Sequence, residues 1–192
     1  MVNHTFGGMT IKKCLAALLN SGVILFPSDT VLGLGCDATD EEAVKKIFLI
    51  KNRKQNKSLV SLVSNFEMLK EYVESIPKQV FDVLDNASVP TTIVYPKAKQ
   101  LAPMAMADDG SMAFRIPNSG FALDLIKSFG KPIIATSANL SGEQIPEESS
   151  QISSRILEQV DYVVPLKLGK YPVTPSRIVK MTSDGEIKTV RP

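Results

Sequence analysis

The 192-residue chain holds one histidine (His4), two cysteines (Cys14 and Cys36) and no tryptophan. A single histidine leaves nothing from which to build a histidine-based triad. Together with two widely separated cysteines, it also excludes a Cys/His zinc site. No CxxC pattern is present, and two unpaired cysteines suit a reducing compartment. The opening "MVNHTFGGMT" lacks the charged, then apolar, then small-residue order of a signal peptide. No apolar run approaches the ~20 residues of a membrane span. The expectation is a cytoplasmic protein with no membrane partner. The formal net charge is +2 with 22% charged residues, too little for a surface that coats nucleic acid, so any basic site must be local.

What is present reads as alternating strands and helices. Ile11, Leu15, Leu18 and Leu19 keep helical spacing, and "VILF" (23–26) before Pro27 reads as a buried strand. Thr39 with Glu42, and Ser64 with Glu67, have the spacing of capping boxes that open two helices. Pro77 can begin a short helix that runs to Leu84. "LVSLV" (59–63), "TTIVY" (91–95), "SMAFRI" (111–116), "PIIATS" (132–137) and "DYVV" (161–164) read as further strands. Helices are expected at 122–129, stopped by Gly130, and over "SSQISSRILEQV" (149–160). The end suggests a hairpin around Asp184-Gly185. With no polar linker, the fold class is a mixed α/β domain spanning residues 1–192.

Three polar stretches follow predicted strands. "PSDTVLGLGCDA" (27–38) reads as a ligand-binding connection; its loose G-x-G-x-x-A match lies too far from the preceding strand for a dinucleotide turn. In "LIKNRKQNKSL" (49–59), Lys51, Arg53, Lys54 and Lys57 fall within seven positions. One or two cations satisfy a helix end; four suit a polyphosphate, although no P-loop pattern accompanies them. "ATSANLSG" (135–142) offers a row of small donors and acceptors, which an ordinary turn also uses. Arg115, inside an apolar strand, calls for a fixed anion, either a protein carboxylate or a ligand.

Read in order, these stretches resemble the YrdC family of threonylcarbamoyl-adenylate synthases. The carrying segments are "PSDTVLGLG", "KNRKQNK", "FRIP", "TSANLSG", "PSRIV" and the closing "TVRP", spread from about Asn20 to Pro192. The resemblance implies a twisted mixed sheet with flanking helices and a concave basic face for substrates. It implies that L-threonine, bicarbonate and ATP-Mg2+ become threonylcarbamoyl-AMP and pyrophosphate. Other enzymes, a downstream transfer complex, would pass the threonylcarbamoyl group to adenosine 37 of tRNAs that read ANN codons.

Carried onto this chain, the resemblance gives Thr30, Leu62, Arg115, Ala135 and Ser176 to threonine, with Arg115 pairing its carboxylate. It gives Arg53, Lys57, Ser111, Ser137, Asn139, Ile145 and Arg191 to ATP. Lys51 and Arg53 would be the catalytic pair over the phosphates, and no protein side chain is expected to be a dedicated metal ligand, Mg2+ arriving with ATP. Ser58, Leu32, Arg177 and Lys180 depart from the residues usual in the family, the last two at the expected pocket rim. The chain stops after Arg191-Pro192, which corresponds to the family's short form. Three rivals stand beside this reading: a module of the same fold that binds tRNA or double-stranded RNA without chemistry, the carbamoyl-transfer module of hydrogenase maturation proteins, and a paralogue that lost the synthase activity.

Overall fold

A computed structural model describes residues 8–53, 59–167, 169–182 and 186–192. Lys54, Lys57, Ser58 and the Asp184-Gly185 turn lie outside those residues. Helix α1 (Gly8–Leu19) leads into strands β1 (Ile24–Pro27) and β2 (Leu32–Asp37), then helix α2 (Glu41–Lys51) and strand β3 (Val60–Leu62). Helices α3 (Phe66–Tyr72) and α4 (Lys78–Asp85) follow, then strands β4 (Thr91–Tyr95) and β5 (Met112–Arg115), helix α5 (Phe121–Phe129) and strand β6 (Ile133–Ser137). The short helix α6 (Ser154–Leu157) and strands β7 (Tyr162–Val163), β8 (Arg177–Met181) and β9 (Ile187–Arg191) complete the order. The nine strands form one mixed sheet in the order β7-β1-β2-β6-β3-β5-β4-β8-β9.

Strand alternation sorts this sheet into two unlike faces. Leu25, Leu34, Cys36, Ile134, Phe114, Ile93, Tyr95 and Val179 point to one side. There they pack with Ala43, Val44, Ile47 and Phe48 of α2, Leu69 of α3 and Val80 of α4. On the other side Ile24, Phe26, Leu62 and Ile133 pack with Cys14 and Leu18 of α1 and with Phe121, Leu125 and Ile126 of α5. These two helices cover one end of that second face. The rest of it carries Gly33, Ala135, Ser137, Val60, Ile178 and Arg191, all of which line a hollow.

Several expectations are corrected. Residues 32–37, read within a connecting loop, form β2, which pairs antiparallel with β1 (Phe26 opposite Gly33) and with β6 (Gly35 opposite Ala135). Asp40, not Thr39, caps α2, accepting from the Glu42 and Ala43 amides; the Thr39 hydroxyl is spent on Asp37 Oδ1 at 2.7 Å. Asn65, not Ser64, caps α3 through the Met68 amide. The helix expected over 149–160 is a 3-10 turn at Ser149–Gln151 followed by α6, because serines at 153 and 154 favour caps over helix interiors. The terminal β8–β9 pair is present, with a bulge at Ile178/Val179 that sets Arg191, rather than Val190, opposite Ile178.

The ring of Phe26 lies against β2 and leaves no room for a side chain at Gly35. A Cβ at Gly35 would come within 2.6 Å of both Phe26 Cε1 and the Ile134 carbonyl, whereas one at Gly33 would meet nothing closer than 3.4 Å. Gly35→Ala should therefore cost about 1–3 kcal/mol through overpacking, and Gly33→Ala distinctly less. Urea denaturation of the two variants checks this; equal losses would contradict it.

Candidate functional site

The hollow on the open half of the second face has a volume of about 270 Å³. Its lining includes the guanidinium-bearing residues Arg53, Arg115 and Arg191 and the hydroxyls of Ser28, Thr30, Ser137 and Ser176, with no carboxylate among them. Phe26, Val31, Val60, Ile145 and Ile178 supply apolar surface. A second hollow of about 350 Å³ adjoins it through Arg53 and Ser137 and is bordered by Lys51, Asn52, Asn139, Ser141 and Gly142. Converging cations and hydroxyls, with no acid among the described lining residues, suit an anionic ligand.

Each corner is fixed by its own local structure. Helix α2 ends at Lys51 because Asn52 adopts the left-handed conformation (φ 48°) and the Asn52 and Arg53 amides close the last turn onto Leu49 and Phe48 carbonyls. The Lys51 side chain is buried, and its ammonium donates to the carbonyls of Ser137 (2.5 Å) and Asn139 (2.6 Å) and to Asn139 Oδ1 (3.4 Å). The Ser141 amide returns a bond to the Lys51 carbonyl. Ser137 Oγ bonds Asn139 Oδ1, and Asn139 Nδ2 bonds the Glu143 carbonyl, so the loop after β6 is knitted to itself and to α2. Burial, with repulsion from Arg53, pushes the Lys51 ammonium down to about 8; burial likewise lowers the Arg53 and Arg191 guanidinium groups.

On the opposite wall, Arg115 is 5% exposed and its Nη1 lies 2.5 Å from Asp29 Oδ1, while Nη2 donates to Thr30 Oγ1 at 3.3 Å. The arginine expected to need an anion thus has one within the protein. Ser28 builds the turn that delivers Asp29 and Thr30: its Oγ accepts from the Thr30 and Val31 amides and donates to the Val31 carbonyl. Arg191 donates through Nε and Nη2 to the Ser176 carbonyl, and Ser176 Oγ pairs with the buried Thr92 hydroxyl at 2.6 Å.

Of the residues anticipated at the site, Thr30, Arg53, Arg115, Ala135, Ser137, Ile145, Ser176 and Arg191 line the first hollow, and Lys51 and Asn139 border the second. Leu62 does not: it is fully buried against α1 and α5, because its register beyond Val60 carries it under the helices. Ser111 sits on the same sheet face as Arg115 but outside the lining, its amide on Asp109 Oδ1. Lys57 lies outside the described residues. Leu32 is a core residue of β2, and neither Arg177 nor Lys180 lines the hollow; Lys180 pairs with Asp109 at 3.4 Å. Thr92 and Phe26 were given no role from the sequence, and Ser28 and Asp29 none beyond membership of the 27–38 connection; the acid directly after a strand end, in "PSDT", was the available signal for Asp29.

Among the described residues, no group of three or more His, Cys, Asp or Glu is placed to hold a metal ion, and no helix is long and apolar enough to cross a membrane. The profile of the family described as telomere recombination (Sua5, YciO and YrdC) matches residues 16–192. The chain belongs to that family. It is 34% identical over 166 residues to a threonylcarbamoyl-AMP synthase of Pseudoalteromonas translucida, covering 83% of this chain and 87% of that one. A doubly substituted P. abyssi Sua5 superposes with a TM-score of 0.86 at 26% identity, over all of this chain and 58% of that one. P. abyssi Sua5 complexed with L-threonine gives 0.82 at 27% identity, over 95% and 53% respectively. This family member therefore spans little more than half the length of those two solved chains.

Burial of the Lys51 ammonium has a measurable consequence. Above about pH 8 the folded chain has released a proton that the unfolded chain keeps until near its ordinary value of 10.5. Stability relative to Lys51→Met should be flat below pH 8 and rise between about 8 and 10, by roughly 3 kcal/mol at most. Denaturation curves of both proteins across pH 7 to 10 read this difference; one that falls over that window would contradict it.

Proposed function

We propose that this protein is a threonylcarbamoyl-AMP synthase, which converts L-threonine, bicarbonate and ATP into L-threonylcarbamoyladenylate and pyrophosphate. The observation that carries the reading is the convergence of Arg53, Arg115 and Arg191 on one hollow that no carboxylate among the described residues lines. The relatives named for this activity, and the related chain complexed with L-threonine, support it. The product would supply the threonylcarbamoyl group for adenosine 37 of tRNAs reading ANN codons, transferred by a separate complex in the cytoplasm.

The chemistry asks for anion binding and alignment rather than a protein nucleophile. The threonine amine combines with bicarbonate, losing water, to give a carbamate. A carbamate oxygen then bonds to the α-phosphorus of ATP while the bond to pyrophosphate breaks. Arg115, with Thr30 beside it, is placed to take the threonine carboxylate, with Ala135 and Ser176 shaping the pocket around the side chain. Arg53, Ser137 and Arg191 would hold the nucleotide, and Ile145 would meet its apolar surface. Lys51 spends its protons on the Ser137 and Asn139 oxygens, so it holds the phosphate-facing loop and adds its charge from behind. Mg2+ enters as the salt of ATP. Catalysis of this kind rests on positioning and charge neutralisation, which oriented cations supply without histidine or a reactive thiol. Both cysteines are buried with raised thiols and take no part. A non-catalytic RNA module is not favoured, since a recess with convergent groups suits a small ligand better than a duplex.

Exchange of labelled pyrophosphate into ATP should require both L-threonine and bicarbonate. Arg53→Ala should lower it about 100-fold or more, as expected for loss of an oriented charge on a developing anion. Exchange with threonine or bicarbonate omitted, or full exchange in Arg53→Ala, would contradict the assignment.

A further inference from the structure

Asp29 does not line the hollow; it stands behind Arg115. Between β2, which bears the turn, and β5, which bears Arg115, lie β6 and β3. At the usual strand spacing the turn and the arginine bridge about 14 Å across the sheet. We infer that Asp29 is a positioning residue for the amino-acid substrate, acting through Arg115.

A guanidinium that is 5% exposed needs a partner, and Asp29 at 17% exposure supplies one of opposite charge on Nη1. That contact and Thr30 on Nη2 engage both ends of the planar fork, so the ring of N–H groups cannot swing. The carboxylate itself is held by a turn that Ser28 fixes through three hydrogen bonds to Thr30 and Val31 backbone groups. Arg115 lines the hollow, so with the fork fixed its remaining N–H groups can read a carboxylate there by direction as well as by charge. Removing Asp29 leaves the cation but frees its orientation. Threonine capture should then suffer while the nucleotide corner, built on α2 and the loop after β6, stays as it was.

This inference rests on the synthase reading, with Arg115 on the threonine carboxylate. The test is steady-state formation of the acyl-adenylate by the intact protein and by Asp29→Asn, with L-threonine and L-threoninamide as rival substrates. For Asp29→Asn the KM for threonine should rise about tenfold or more. The KM for ATP and kcat should stay within about threefold, and the preference for threonine over its amide should shrink by a similar factor to the threonine KM. An unchanged threonine KM, or equal rises in both KM values, overturns the proposal. Should Asp29→Asn fail to fold, Asp29→Glu keeps both charges and displaces only the carboxylate that meets Arg115. A threonine KM raised with the ATP KM unchanged then supports the role, and an unchanged threonine KM overturns it. If the unsubstituted protein neither binds threonine by calorimetry nor makes the adenylate, the synthase reading itself fails, which is a different outcome from either of these.

Discussion

The sheet is too wide for the helices assigned to one of its faces, and the site follows from that shortfall. Nine strands at the usual spacing extend roughly 40 Å, whereas two helices side by side cover about 20 Å. Helices α1 and α5 pack on Ile24 and Phe26 of β1, Leu62 of β3 and Ile133 of β6, and leave the rest of that face open. The open strip of that face runs on along β2, β3 and β6, where Gly33, Val60, Ala135 and Ser137 line the hollow. The opposite face, packed by α2, α3 and α4, gives the strip a rigid backing.

Two buried cations at the edges of this strip are stabilised in different ways, and the contrast defines the two corners. Arg115 has a carboxylate, Asp29, so its charge is balanced and its direction set. Lys51 donates to the carbonyl oxygens of Ser137 and Asn139 and to the Asn139 side-chain oxygen, none of them a carboxylate, so its positive field extends into the adjoining hollow. An oriented, balanced arginine suits a single carboxylate; an unbalanced lysine beside Arg53 suits a polyanion. Arg191 reaches the same hollow only because the β8–β9 bulge turns it inward.

Much of this was legible in the order of residues. The apolar runs located β3, β4, β5 and β6 to within a residue or two, and Gly130 marked the end of α5, where it takes φ 74°. The glycines of "LGLGCD" concealed β2: the alternation of Leu32, Leu34 and Cys36 is regular, but glycine in the intervening places reads as a turn until the Phe26 ring is seen to need the space at Gly35. Capping was misjudged by one residue twice, because a neighbouring aspartate or asparagine competed for the same amides. The polar stretches after strands converged on one recess as the motif order implied. Leu62 and Ser111 failed to join it for reasons of register and of local pairing with Asp109, which no spacing along the chain displays. The Asp29–Arg115 pair joins residues 86 positions apart, so only the fold could reveal it.

The central claim is that one recess holds an amino acid and a nucleotide side by side, the first at Arg115 and the second at Arg53. A crystal structure of the protein with L-threonine and a non-hydrolysable ATP analogue tests it most directly. The account predicts the threonine carboxylate on Arg115 beside Thr30, and the phosphates on Arg53 and Ser137 above the Lys51-held loop. Phosphates bound away from Arg53 and Ser137, or threonine seated with its carboxylate turned from Arg115, would contradict it.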